Sequence, residues 1–222
     1  SCAIDNNGKG LYSTGMGHGD AMHLTKFSPD MPGLQVWDCH ENKCDGSSFR
    51  DAATGKVFFQ VKSGIDVGRC MAADIDPTNP GVEMWSWESK GLRNIKGEVV
   101  NPDIKTFSVN MAVWWDGDLL RELLNKNVVS KYDWEAGVCK PLVTFEGAVS
   151  NNGTKATPCL QGDILGDWRE EVLLRTEDNT ALRLYVSPIA TDYRFHTFLE
   201  DPVYRISIAT QNVAYNQPTQ PG

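Results

Sequence analysis

The chain has no long apolar run, no excess of basic charge and few cysteines. No stretch approaches the ~20 consecutive apolar residues that a membrane-spanning helix needs, and no secretory signal peptide heads the chain. The start Ser1-Cys2-Ala3 looks like that of a mature or truncated chain. With 21 Lys and Arg against 29 Asp and Glu, the net charge is −8. Nucleic-acid binding would demand clustered basic residues, so we expect neither a nucleic acid nor a membrane as a partner.

Six cysteines are too few for a disulfide scaffold in a chain of 222 residues. No C-x-x-C motif is present, so a zinc site is not expected. Cys39 and Cys44 are close enough in sequence to close a small loop in an oxidising compartment, and the alternative is a pair of free thiols. Cys70 and Cys159 lie in apolar runs, where we expect buried thiols that pack as small apolar groups.

Strand patterns dominate the sequence. Runs of β-branched and aromatic residues bounded by turn residues predict strands at 56–63, 82–89, 106–115, 171–176, 181–187 and 204–210. Residues 119–125 fit either a turn of helix or a strand. With 20 Gly and 11 Pro, the composition indicates many short strands joined by tight turns, which is an all-β fold.

A repeat organises these strands. KFSPDMPGLQVW, from position 26, aligns without gaps on DIDPTNPGVEMW, from position 74, a spacing of 48 residues. DILGDWREEVLL, from Asp163, is a third copy with one deletion, and DGDLLRELL, from Asp116, is a degenerate one. Trp37 and Trp85 occupy the same repeat position, so we expect them to pack between repeats. A period in the forties is typical of propeller blades with four strands each. Residues 1–222 are therefore predicted to form a single domain, a partial β-propeller of four to five blades.

Two of the repeated turns carry oxygen donors spaced as in calcium-binding loops, with a glycine that permits a sharp bend in the first. The predicted ligands are Asp74, Asp76, Asn79 and Glu83 in one turn, and Asp163, Asp167 and Glu171 in the other. The first copy has Lys26, Ser28 and Gln35 at its donor positions, so we expect it to be metal-free or weak. The alternative is a set of solvated acidic hairpin turns, because Asp and Asn favour turns.

The residues before each repeat indicate a functional site at the end of the strands opposite the acidic turns. His18 and Lys155 each stand eight positions before the start of a repeat, and Arg69 stands five before one. Equivalent repeat positions place all three at one end of the first strands, facing one mouth of the ring. A strand of four or five residues spans roughly 15 Å, so the acidic turns lie at the opposite end and their calcium would be structural. Asp20 is the exception, as a candidate metal ligand beside the cleft.

Four motifs carry a family resemblance across essentially all 222 residues: YSTGMGHGDAMHL, VGRCMAADIDP, NNGTKATPCLQGDILGDWREEVLLRT and DPVYRISIATQNVAYNQP. They resemble the polysaccharide lyase family 11 rhamnogalacturonan lyases. The resemblance implies an eight-bladed, calcium-rich β-propeller. This chain would be about half of that ring, and the missing N-terminal blades would be its partner. The departures are the turn Lys26–Gln35 and Cys70, where glycine is expected. The implied substrate contacts are His18, Arg69, Asn152, Gly153, Thr154, Lys155, Tyr215 and Asn216.

The resemblance also implies a reaction. Rhamnogalacturonan alternates rhamnose with galacturonate, and a lyase breaks its backbone by β-elimination at C4 of the uronate, leaving unsaturated uronate ends. Arg69 or a bound cation would neutralise the uronate carboxylate and make the C5 proton more acidic. Lys155 is the candidate base, because a neighbouring arginine or Ca²⁺ favours the neutral form of a lysine. Tyr215 could donate a proton to the leaving oxygen or only hydrogen-bond to substrate.

Other interpretations stay open at this stage. His18 could orient substrate, bind Ca²⁺ beside Asp20, or be a structural histidine. Asn152 and Gly153 could form a simple turn, and Asn152 with Thr154 also matches a glycosylation sequon. A non-catalytic, calcium-dependent carbohydrate-binding or adhesion propeller would share the repeats and the acidic turns. We expect the isolated fragment to be inactive. A polysaccharide substrate and a Cys39–Cys44 bridge would favour a secreted, cell-surface or periplasmic location.

Overall fold

The computed structural model describes residues 1–87, 91–211 and 217. The described residues divide into two compact units, unit 1 within residues 1–105 and unit 2 within residues 106–220. In these described ranges, no helix combines the length and apolar character needed to cross a membrane. One partial-propeller domain over 1–222 stays a prediction.

Unit 1 is built from antiparallel strands that follow one another along the chain. A two-stranded ribbon pairs β1 (Cys2–Ile4) with β2 (Gly10–Ser13). Two four-stranded sheets follow, each with its strands in sequence order. The first contains β3 (Met22–Thr25), β4 (Gln35–Cys39), β5 (Ser47–Asp51) and β6 (Val57–Val61). The second contains β7 (Cys70–Ala73), β8 (Glu83–Ser86), β9 (Leu92–Arg93) and β10 (Val99–Asn101).

Unit 2 repeats this arrangement. Its first sheet contains β11 (Met111–Val113), β12 (Glu122–Asn125), β13 (Val128–Asp133) and β14 (Val138–Thr144), again in sequence order. The second contains β15 (Ala148–Val149), β16 (Leu160–Gly162), β17 (Glu171–Thr176) and β18 (Leu182–Tyr185), with β17 paired to the other three. A 3₁₀ turn (Phe198–Glu200) and the helix α1 (Pro202–Thr210) follow.

The sequence repeat corresponds to one four-stranded sheet. In all four sheets a repeated turn joins two antiparallel strands, β3 to β4, β7 to β8, β11 to β12 and β16 to β17. The second strand of each pair begins with a side chain of the same kind, namely Gln35, Glu83, Glu122 and Glu171. The predicted all-β class and the hairpin nature of each repeat are confirmed, including the degenerate copy at Asp116.

The core of unit 1 packs one sheet on the next. Trp37 and Trp85 are both fully buried, and the Trp37 Nε1–H donates to the backbone oxygen of Trp85 at 3.1 Å. The Phe27 and Phe49 rings lie in the same apolar cluster with centroids 5.0 Å apart. An indole buried with its N–H satisfied combines a large apolar surface with a fixed orientation. The predicted packing of the two tryptophans between repeats is confirmed.

A buried polar network crosses the middle of the first sheet. Asp38 accepts hydrogen bonds from Arg50 and from Ser48 Oγ, the latter at 2.8 Å, and its Oδ1 lies 3.3 Å from His40 Nε2. Burial alone would raise the pKa of Asp38, but the hydrogen bonds from His40 and Arg50 and the charge of Arg50 lower it well below its usual 3.8. Asp38 therefore stays ionised inside the sheet, and its partners are part of the fold.

One predicted strand is a helix, and another is much shorter than predicted. Residues 204–210, predicted as a strand, lie in α1, because Asp201 caps the helix by accepting from the Val203 and Tyr204 amides and Pro202 occupies the first turn. Residues 119–125, read as helix or strand, contain only a strand, β12. Of 106–115 only Met111–Val113 is strand. The remaining predicted strands correspond to β6, β8, β17 and β18.

Of the two alternatives for Cys39 and Cys44, the structure has the pair of free thiols, and all six cysteines are free. Cys39 is buried with its Sγ 3.6 Å from the backbone oxygen of Ala21, whereas Cys44 is exposed. One thiol therefore belongs to the core and the other to the surface. Cys70 is buried as predicted, and burial raises its pKa well above the usual value. Cys159 is partly exposed, contrary to prediction.

Candidate functional site

His18 and Arg69 lie at the same end of two neighbouring sheets in unit 1. Each precedes the first strand of its sheet. The backbone oxygen of His18 accepts from the Glu41 amide at 2.7 Å, and the oxygen of the adjacent His40 accepts from the Val67 amide at 3.2 Å. These bonds connect the loop before β3 to the loop before β7. The shared position of His18 and Arg69, expected from their repeat positions, is therefore present in unit 1.

His18, Asp20 and Glu41 form a cluster of potential metal ligands at this end. Each offers one ligand atom within 4.8 Å of the others. The His18 Nδ1 lies 3.2 Å from Glu41 Oε2, and 72% of the His18 side chain is exposed. An imidazole nitrogen with two carboxylates is a donor set that a divalent cation accepts. Sequence reasoning found Asp20 but missed Glu41, which becomes its neighbour only through the backbone pairing of His18.

Arg69 and Trp87 lie opposite each other where β7 begins and β8 ends. The Trp87 amide donates to the Arg69 backbone oxygen at 2.9 Å, which extends the ladder between the two strands by one step. Arg69 is only 5% exposed, so little of its side chain can touch a polysaccharide directly. Trp87 is 69% exposed. Sequence reasoning missed this indole, because its exposure depends on where β8 ends.

The predicted calcium turn of unit 1 gathers Asp74, Asp76 and Glu83 at the opposite end. Glu83 Oε2 accepts from the amides of Ile75 at 3.0 Å and Asp76 at 2.9 Å. Glu83 Oε1 is buried without a hydrogen-bond partner. Burial raises the pKa of Glu83 to about 9, and the neighbouring carboxylates of Asp74 and Asp76 add to that rise. This turn therefore concentrates three carboxyl groups, and no side-chain cation among the described residues pairs with them.

Asp74 and Asp76, also predicted as ligands, lie in the same turn as Glu83. Burial, and then the charge of Asp76, raise the pKa of Asp74 to about 6. Asp76 accepts from Thr78 Oγ1 at 2.6 Å and from Asn79 Nδ2 at 3.1 Å. Carboxylates with an unmet acceptor and raised pKa values suit a divalent cation, which would favour their ionised forms. The donor types of this turn therefore suit Ca²⁺, and calcium at this turn stays a prediction.

The first repeat closes its turn with an amide. Gln35 Oε1 accepts from the Phe27 amide at 3.0 Å, while its Nε2 donates to the oxygens of Pro32 at 3.1 Å and Gly33 at 3.2 Å. Gln35 thus takes the position of Glu83 and supplies both a donor and an acceptor. This turn needs no cation to satisfy its buried groups.

Lys155 lies in a tight loop of unit 2, before the first strand of its hairpin. Asn152 Oδ1 accepts from the Thr154 amide at 3.1 Å and from the Lys155 amide at 2.8 Å, and the Asn152 backbone oxygen accepts from the Ala156 amide at 2.9 Å. Asn152 therefore organises the loop, as the simple-turn interpretation expects. Gly153 and Thr154 are exposed, and Lys155 is half-buried.

This loop lies at the end of β16 away from its acidic turn, which matches the placement of His18 and Arg69 in their own sheets. The convergence of Lys155 with those two residues on one cleft stays a prediction. Tyr215 and Asn216, predicted to contact substrate, lie outside the described residues.

The carboxylates of the second predicted calcium turn each bind different groups of the protein. Asp163 Oδ1 accepts from the Trp168 amide at 3.2 Å, and its Oδ2 accepts from Thr197 Oγ1 and the Phe198 amide, both at 2.8 Å. Asp167 pairs with Arg169 at 2.9 Å. Glu171 Oε2 accepts from two turn amides, at 2.8 Å each. The structure does not bring the three carboxylates together around one point, so calcium at this turn stays a prediction.

Comparisons with known proteins identify the family of this chain. The model of rhamnogalacturonan lyase family 11, C-terminal domain, matches residues 1–222. Rhamnogalacturonan endolyase YesW of Bacillus subtilis is 54% identical over 220 residues, which is 98% of this chain and 35% of that protein. Rhamnogalacturonan exolyase YesX of the same organism is 48% identical over 233 residues, or 97% of this chain and 38% of that protein.

Solved structures give the same answer for the fold. The crystal structure of rhamnogalacturonan lyase YesW superposes with a TM-score of 0.94 at 55% identity, covering 98% of this chain and 37% of that one. A Bacillus licheniformis rhamnogalacturonan lyase superposes with a TM-score of 0.94 at 52% identity, covering 100% of this chain and 38% of that one. The chain thus spans little more than a third of these relatives, and it belongs to rhamnogalacturonan lyase family 11, matching the family's C-terminal domain.

Proposed function

We propose that the full-length protein is a rhamnogalacturonan lyase that cleaves the rhamnose–galacturonate backbone by β-elimination. The observation that carries this proposal is the family match over residues 1–222, together with 54% identity to a named rhamnogalacturonan endolyase. A non-catalytic binding or adhesion propeller is the weaker candidate, because both curated relatives are named as lyases.

The proposed architecture is an eight-bladed propeller in which each four-stranded sheet is one blade. Four such sheets with a common hairpin are described in this chain, and the relatives are more than twice its length. The partner of this chain is then the remaining blades of the same polypeptide. Those blades would supply the rest of the cleft, so this chain alone should lack activity.

The proposed catalytic end is the one that carries His18, Arg69 and Lys155. Lys155 would remove the C5 proton of the uronate, the C4–O bond would break as the C4–C5 double bond forms, and an acid such as Tyr215 would protonate the leaving oxygen. Arg69 would offset the uronate carboxylate from the wall of the cleft. The exposed Trp87 indole offers a face on which a sugar ring can stack.

The proposed cofactor is Ca²⁺, at two places in unit 1. The turn of Asp74, Asp76, Asn79 and Glu83 would hold a structural ion, supported by the unpartnered Glu83 Oε1. The His18, Asp20 and Glu41 cluster would hold an ion at the substrate end, supported by its ligand spacing. A cation there would help to neutralise the substrate carboxylate. The side chains of this chain would then position the substrate and transfer protons.

The proposed location is outside the cytoplasm, secreted, cell-surface or periplasmic, because a long polysaccharide is met there. The free thiols of Cys39 and Cys44 lend no support to this location.

The proposed activity is tested by incubating the full-length protein with rhamnogalacturonan and following the ultraviolet absorbance of unsaturated uronate ends. We expect product from rhamnogalacturonan and far less from polygalacturonate. Comparable rates on both polymers would contradict the substrate assignment. Saturated products would contradict β-elimination.

A further inference from the structure

The repeated turn of the third sheet is closed by a lysine. Lys131 Nζ, on β13, contacts the carboxylates of Asp116, Asp118 at 2.7 Å and Glu122 at 3.0 Å. The three carboxylates also lie within 4.8 Å of one another, close enough to share one ion. Only 23% of the Lys131 side chain is exposed, so its ammonium group is held among three acceptors.

The backbone of this turn matches that of the predicted calcium turn. Glu122 Oε2 accepts from the amides of Trp115 at 3.0 Å and Asp116 at 3.1 Å. Glu83 makes the same pair of bonds to Ile75 and Asp76. The two turns are therefore equivalent in their hydrogen bonds, and they differ in what faces the glutamate.

The strand register explains that difference. Leu123 pairs with Ser130, so the next residue of β13, Lys131, stands opposite Glu122. In the preceding sheet Met84 pairs with Arg93, so the corresponding position is Asn94. The Asn94 side chain donates to Glu98 at 2.8 Å instead of reaching into the turn. The Glu122 turn therefore has a lysine opposite its glutamate. The Glu83 turn has an asparagine at the corresponding position.

The electrostatics follow the same division. Burial raises the pKa of Glu122 to about 7, and the charge of Lys131 opposes that rise. Burial raises the pKa of Glu83 to about 9, and its carboxylate neighbours push in the same direction. Burial alone would lower the pKa of Lys131, yet the charge of Glu122 and hydrogen bonds to the three carboxylates raise it above the usual 10.5. Lys131 is therefore a permanent cation at this place.

We propose that the Lys131 ammonium group takes the place of a divalent cation in the Asp116–Asp118–Glu122 turn. This turn then keeps its structure without metal, and loss of the ammonium group converts the three carboxylates into a divalent-cation site. The proposal does not depend on calcium at the Asp74 turn, which serves only as a comparison within the molecule.

Hydrogen exchange of the full-length protein tests this, read on peptides that carry the Trp115 and Asp116 amides. In the wild-type protein, exchange there should be the same in chelator and in Ca²⁺. In Lys131→Met, exchange in chelator should rise roughly tenfold or more, because an unpaired buried charge is costly, and added Ca²⁺ should restore protection.

Two controls make the result specific. Lys140→Met removes a lysine that is 61% exposed and pairs with Asp133 at the surface, so it should create no Ca²⁺ response. Adding Asp116→Asn and Asp118→Asn to Lys131→Met removes the surplus negative charge, so this variant should be protected in chelator and insensitive to Ca²⁺. Terbium luminescence excited through tryptophan should be stronger in Lys131→Met than in the wild-type protein, and it should return to the wild-type level in the triple variant.

Three outcomes would overturn the proposal. The first is a chelator-sensitive turn in the wild-type protein. The second is a Lys131→Met turn that is protected in chelator or gains nothing from Ca²⁺. The third is a failure of both Lys131→Met and the triple variant to fold in either buffer, which would show that the lysine stem, and not its charge, supports the turn.

Discussion

Replacing Glu83 by glutamine separates the charge of this side chain from its hydrogen bonds. Glu83 is fully buried and accepts from the Ile75 and Asp76 amides through Oε2. A glutamine oxygen can accept both bonds, as Gln35 accepts from Phe27 in the first repeat. Glu83→Gln should therefore fold, and in chelator it should be at least as stable as the wild type, because a buried uncompensated acid is gone.

The same change should abolish stabilisation of this turn by Ca²⁺. A ligand at a hundred times its dissociation constant stabilises the folded state by about 2.7 kcal/mol. For a folding unit of about 150–250 residues, each kcal/mol shifts Tm by roughly 2–4 °C, so the wild-type shift should be at most about 5–11 °C. Glu83→Ala is the contrasting variant, because it leaves two amides unpaired at a cost of about 1–3 kcal/mol each in either buffer.

Differential scanning calorimetry of the full-length protein, in chelator and in Ca²⁺, measures both effects. Asp30→Ala is the matched control, since Asp30 lies in the first-repeat turn that Gln35 closes. A Glu83→Gln protein with the full wild-type Ca²⁺ shift would refute the assignment of this carboxylate as a ligand. Equal Tm values for the wild type in the two buffers would refute the site itself.

Three further predictions concern other parts of the chain. Lys155→Ala should lower turnover by a factor of roughly 10² to 10⁴ while leaving Tm unchanged, and a nearly silent change in initial rates would end its assignment as the base. Trp87→Ala should raise KM more than it lowers kcat, whereas a drop in Tm without a change in KM would show that other blades cover the indole. Because the pKa of Asp38 is below 3.8 in the folded state, its ionised form stabilises the fold above about pH 4, and this contribution is lost as pH falls through the folded value. Asp38→Asn should therefore flatten the loss of stability measured by urea unfolding on acidification, and an unchanged slope would contradict the role of its partners.

The repeated hairpin could be predicted from sequence because its signal is local. Apolar strands flank an acidic turn at a nearly constant spacing, so the strands and the turn are read from adjacent residues. The same local reading failed at Tyr204–Thr210, where β-branched residues suggested a strand and the helix is set by Asp201 and Pro202 just before it. The helix cap, which lies just before the apolar run, therefore determines that this segment is a helix and not a strand.

Contacts across the sheet could not be predicted from spacing. Lys131 reaches Asp116 from the third strand of its sheet, and Glu41 meets His18 through the end of the second. Both depend on strand register, which the repeat alone does not fix. The free thiol of Cys39 could not be predicted for the same reason, because its position in β4 determines that its side chain points into the core.

The assignment of the catalytic end is tested most directly by a crystal structure of the full-length Lys155→Ala protein with a rhamnogalacturonan oligosaccharide. We expect the sugar to lie against the loop that carries Asn152 and residue 155, with a uronate C5 facing the missing amine. An oligosaccharide bound at the acidic turn of Glu171, with the loop of residue 155 empty, would contradict the account.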